Sequence, residues 1–108
     1  DMPITITTTD SLDGTRVTKY LGIVRGVVVA VPTAATLVLA GISQGSKAVL
    51  EQECEEARHE ACERMISLAI HIGASAVVGV RDESCTIATT RCEEVLCYGT
   101  AVITEPTR

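Results

Sequence analysis

The sequence predicts one small α/β domain, in the order β, β, short α, long α, β, β. Three observations predict it. The chain has 108 residues, one domain's worth. Its two ends are rich in Val, Ile and Thr, with turn residues between the runs. Between them, Leu50, Cys54, Ala57, Ala61, Met65, Leu68 and Ile72 recur at spacings of three and four, the period of a helix with one apolar stripe.

Residues 3–9 alternate Ile4 and Ile6 with Thr5, Thr7 and Thr9, a strand pattern, and Ser11-Leu12-Asp13-Gly14 is a turn. Residues 15–31 read as a long β segment in which Gly22 and Gly26 mark bends, bulges or close backbone approach. Pro32 breaks it. Thr33 then caps a short helix over 34–42 that Gly45 ends. The long helix follows, with Ser46 as N-cap and Gly73 as the residue just past its end. Its acids lie toward the N-terminus, and Glu60 and Arg64 pair at i,i+4. Ala74 to Val80 reads as a buried strand, 85–91 as a strand or hairpin, and Val95 to Ile103 as the last strand, antiparallel to its neighbour. Residues 105–108 form a polar tail.

Composition narrows the function classes. Nine Lys and Arg are scattered among fourteen acids, the net charge is −5, and the only aromatics are Tyr20 and Tyr98. Nucleic acid wants a basic face and stacking rings, so it is not expected as a partner. Leu21 to Ile42 is long and apolar, but Arg25 and Pro32 interrupt it, so no membrane span is expected. The opening Asp1-Met2-Pro3-Ile4-Thr5 lacks the pattern of a signal peptide, and five cysteines match no dense disulfide framework. The opening favours the cytoplasm; the presence of five cysteines pulls the other way, but their odd number and lack of a framework make reduced thiols the default reading. No nucleophile with a base, carboxylate pair or phosphate loop stands out, so an enzyme is not expected.

Several segments together resemble a known family. They are Ile6-Thr7-Thr8-Thr9 with Leu12-Asp13-Gly14, Tyr20-Leu21-Gly22-Ile23-Val24-Arg25-Gly26, Glu56-Ala57-Arg58, Ile72-Gly73-Ala74-Ser75-Ala76-Val77-Val78-Gly79-Val80, and Tyr98-Gly99-Thr100-Ala101-Val102. In order and spacing they are similar to the YbjQ family, small bacterial and archaeal proteins labelled for heavy-metal binding, across nearly the whole chain. The resemblance implies a dodecin-like two-layer subunit, one helix on a small antiparallel sheet, assembled into rings, typically pentamers. It implies no activity.

Two sets of residues suit a soft metal ion such as zinc or copper. Glu55, His59, Cys62 and Glu63 share one side of the long helix, with His59 and Cys62 at i,i+3. Cys85, Cys92 and Cys97 lie on or near neighbouring strands, where either a disulfide or a thiolate cluster can form. The bland reading of the first set is a solvated acidic face. The remaining expectation concerns the short helix. Family members usually carry charges there, but residues 33–42 carry none. A helix apolar on every side must be covered, so Leu37, Val38, Leu39 and Ile42 are expected in an interface with a neighbouring subunit or a second stacked ring. The rival is that they fill the chain's own core. The leading expectation is therefore a homo-oligomeric ring for scaffolding or ligand holding, with soft-metal binding as the alternative and an inter-subunit enzyme third.

Overall fold

The computed structural model describes residues 4–30, 45–87 and 92–107. The elements are β1 (Thr5–Ile6), β2 (Thr15–Ala30), α1 (Gly45–His71), β3 (Ala76–Ile87) and β4 (Cys92–Pro106). They form one four-stranded sheet in the order β1-β3-β4-β2, with α1 packed on one face. The predicted short helix, with Leu37, Val38, Leu39 and Ile42, lies outside the described residues.

The sheet is mixed, which corrects the purely antiparallel expectation. β2 and β3 both run antiparallel to β4, but β1 pairs with β3 in parallel, Thr5 opposite Ala76 and Ile6 opposite Val77. Parallel neighbours need a long crossover, and here β2 and α1 supply it. The last two strands are also longer than expected. Arg81-Asp82-Glu83-Ser84 reads as a break because it is polar, yet it continues β3 with all four side chains exposed. A strand with a wet face and a wet edge carries charge without leaving the sheet.

The helix is held close to the sheet by small residues. Ala57, Ala61, Met65 and Ala69, spaced by four, are all buried against Val24, Val28, Val77, Val95, Cys97 and Ala101. A side chain at Gly26 would fall on the Ala61 carbonyl and the Met65 amide, so only glycine lets the helix come this near. This line differs from the predicted stripe. Leu68 and Ile72 are 40% and 39% exposed, and Ala69 takes the buried place. The two lines share Ala57, Ala61 and Met65. Steps of four drift slowly around a helix with 3.6 residues per turn, so the next buried position is Ala69 and not Leu68.

The two predicted helix boundaries fare differently. Gly45 and Ser46 fall inside α1, so the helix begins before the expected cap. At the other end Gly73 has φ +87°, the Ala74 amide donates to the Ala69 carbonyl and the Gly73 amide to Ile70, a Schellman ending. The expected Glu60–Arg64 pair is present at 3.0 Å, and the same guanidinium donates to the Val27 carbonyl at 2.7 Å, tying α1 to β2. The predicted irregularity at Gly22 coincides with a register shift in the β2–β4 pairing.

The opposite sheet face is only partly covered. Leu12 and Val17 close over Ala76, Val78 and Val102 at one end. Beyond them the face carries Ile23, 68% exposed, and Val29, 53% exposed, with Val27 between them.

Candidate functional site

Two sulfur atoms meet where α1 crosses the sheet, and a third lies one helix turn away at the edge of the same buried cluster. Cys62 and Met65 stand one turn apart on the helix. Cys97 sits in the middle of β4, registered to Asp82 on β3 and Gly26 on β2. Its Sγ lies 3.7 Å from Met65 Sδ. Cys62 packs against the same buried cluster from its edge. Burial raises the Cys97 thiol to about 12, and the neighbouring Cys62 and then Asp82 push the same way. Met65 and Cys97 are buried, whereas Cys62 is half-buried and lines a small hollow of about 150 Å³ with Ile6, Thr7, Thr8 and Val80. Two thiols and a thioether suit a soft ion and not a hard one.

The two expected metal sets are placed apart from each other, except that Cys62 from the first packs against the buried cluster that holds Cys97 from the second. The rest of the helix set turns to solvent: His59 is 79% exposed beside Glu63 at 3.7 Å, and Glu55 pairs with Arg58. Among the described residues, no three His, Cys, Asp or Glu side chains converge to hold an ion. Cys85 is exposed and registered to Glu94, which alternation places on the open face, opposite the helix side that holds Cys97. Cys92 opens β4 opposite Ile87, and its side chain lies outside the described residues. Sequence reasoning placed Met65 in the core stripe and missed it as a donor. The available signal was its i,i+3 spacing from Cys62; the approach of Cys97 is long-range and has no spacing.

A second hollow, of about 250 Å³, lies on the open sheet face between Ile23, Arg25, Glu83, Leu96 and Tyr98. The Tyr98 hydroxyl donates to Glu83 at 3.0 Å, and this bond holds the phenol above its ordinary value. Arg81 of the same strand donates to the Thr8 and Val80 carbonyls, which fixes the turn after β1. Among the described residues no helix is long and apolar enough to cross a membrane.

Comparison with known proteins agrees with the fold. A family profile described as "Putative heavy-metal-binding" matches residues 4–105. A UPF0145 protein of Legionella pneumophila (strain Lens) is 41% identical over 105 residues, covering 94% of this chain and 99% of the relative. A UPF0145 protein of Francisella philomiragia is 37% identical over 102 residues, covering 91% and 96%. A crystal structure from Pediococcus pentosaceus, described as a protein of unknown function of the DUF74 family, superposes with a TM-score of 0.64 at 13% identity. It covers 94% of this chain and 98% of that one, a likeness of fold. With this match across nearly its whole length, the chain belongs to the YbjQ (UPF0145) family.

Proposed function

We propose that this chain is one subunit of a homo-oligomeric ring whose role is scaffolding or ligand holding. The observation that carries the reading is the sheet's incompleteness. β2 is sixteen residues long and stands at an edge, and among the described residues no strand pairs with its outer side. β3 is open too: β1 pairs with Ala76 and Val77, the turn after it reaches Val80, and among the described residues no strand lies outside Asp82 to Ile87. Long open edges recruit other strands. Two unlike edges on one sheet favour head-to-tail contact, and such contacts close into a ring when the rotation between copies divides a full turn.

Shape and surface point the same way. The radius of gyration is 17.3 Å and the longest dimension 59 Å, against about 13 Å for the radius of gyration of a compact domain of this length. The open face beside β2 carries Ile23, Val27 and Val29, an apolar row that a neighbour would cover. Five subunits is the number that the family resemblance suggests. Light scattering at micromolar concentration tests the reading. The expected mass is several times 11.4 kDa, and Ile23→Asp lowers it while helical circular dichroism persists, because a carboxylate there resists burial. A wild-type chain that stays at 11.4 kDa refutes the ring.

A further inference from the structure

We propose that the hollow on the open sheet face holds one small zwitterion, a free α-amino acid with an apolar side chain. This deepens the ligand-holding part of the proposed role; it rests on that part of the reading and not on the ring. The first ground is the arrangement of charge. The hollow, of about 250 Å³, is lined by Ile23, Arg25, Glu83, Leu96 and Tyr98. β4 forms its floor, and β2 and β3 stand on either side. Arg25 is registered to Tyr98 from one side, and Glu83 to Leu96 from the other. Side chains stand roughly perpendicular to a sheet, so a cation and a carboxylate face each other diagonally across β4. The two flanking strands are about 10 Å apart, twice the spacing of neighbours. Among the described residues no ion pair joins Arg25 to Glu83.

The second ground is what each charged group still has to offer. The Arg25 guanidinium has no hydrogen-bond partner among the described residues, so its planar fork is open to a carboxylate. Glu83 accepts the Tyr98 hydroxyl at Oε1, at 3.0 Å. That bond orients the carboxylate, and its second oxygen can take an ammonium. A purely anionic ligand would be repelled by Glu83, and a purely cationic one by Arg25. A molecule that carries both charges satisfies both walls at once. One exposed ion pair alone is weak, so the two ends and the apolar contact must act together.

The third ground is size and lining. Leu96 and Tyr98 are half-buried and Ile23 is exposed, so an apolar side chain laid on them removes their remaining surface from water. The volume is below the roughly 300–1,000 Å³ of sites for drug-sized molecules, which suits a ligand of the size of leucine. Two hydrogen bonds of about 2.9 Å, with the ammonium and carboxylate of one α-carbon between them, come close to the width between the strands. All five lining residues belong to one chain, so the site needs no neighbour.

The test is equilibrium dialysis of the chain against radiolabelled L-leucine, with light scattering on the same samples. The wild type is expected to hold one leucine per chain. Arg25→Gln and Glu83→Gln are each expected to weaken binding by about tenfold, the loss of one charge-assisted contact. Both side chains are exposed, so the circular dichroism spectrum should stay unchanged. Isocaproate, which lacks the ammonium, and isoamylamine, which lacks the carboxylate, are expected to compete about tenfold less well than unlabelled leucine for the same reason. Lys19→Gln removes an exposed cation of β2 outside the hollow and is expected to change nothing. A wild type that takes up no leucine overturns the proposal, whatever its mass. So does full affinity in Arg25→Gln or Glu83→Gln, or equal competition by isocaproate. A chain that stays at 11.4 kDa yet holds leucine refutes the ring and supports this site.

Discussion

The two faces of this sheet are built from the same strands and have opposite fates. On the helix side, Val24, Gly26 and Val28 of β2 and Val95, Cys97 and Ala101 of β4 are sealed under a line of small residues. On the other side, Ile23, Val27 and Val29 of β2, with Tyr98 of β4 near them, remain accessible and share their surface with Arg25 and Glu83. The closed face is finished within the chain. The open face has apolar side chains of the size used in cores, but nothing among the described residues covers them. Alternation along a strand assigns each residue to a face; what then separates the faces is the close approach that glycine and alanine permit on one of them.

The largest effect on that contrast is expected from Gly26→Val. Its side chain would collide with the backbone of Ala61 and Met65. The helix must then lift off, and the loss is expected to exceed about 4 kcal/mol, the range of severe core overpacking and backbone strain. Urea denaturation followed by helical circular dichroism measures it. A cooperative transition with the wild-type midpoint would mean that the helix does not rest on Gly26.

A much smaller effect is expected on the open face. Glu83→Gln removes the charged acceptor of the Tyr98 hydroxyl. The phenol, now held above its ordinary value chiefly by that bond, should titrate closer to 10. The sign follows from linkage: a group raised in the folded state contributes stability below its unfolded pKa and loses it as pH rises through the folded one. The Tyr98–Glu83 contribution is therefore present at neutral pH and fades only in alkali. Ultraviolet titration of the phenol reads it, and an unmoved midpoint would separate Tyr98 from Glu83 in solution.

Much of this fold was legible in the sequence. The long helix, its glycine ending, the Glu60–Arg64 pair and the special places of Gly22 and Gly26 all follow from local rules, and all are present. What escaped was long-range. The parallel β1–β3 pair depends on which strands meet after the crossover, and alternation within Ile4 to Thr9 carries no such information. Leu68 and Ala69 competed for one buried place, and the choice was settled by how near the helix comes to the sheet.

 The sulfur contact is of the same kind. Nothing local links Met65 on a helix turn to Cys97 at the centre of a strand, and only the packed sheet brings their sulfur atoms to 3.7 Å.

The central claim is that the open edge of β2 is completed by another copy of the chain. Amide hydrogen exchange tests it at single residues. In an antiparallel pair a residue's N–H and C=O point to the same side. The Val27 carbonyl accepts from Arg64 at the outer edge, so alternation directs the amides of Arg25, Val27 and Val29 outward, away from β4. In a ring these amides donate to a neighbouring strand and exchange slowly at micromolar concentration. Dilution that dissociates the ring should speed them up, while the amides facing β4 keep their protection. Exchange at the unprotected rate for Arg25, Val27 and Val29 at every concentration would contradict the claim.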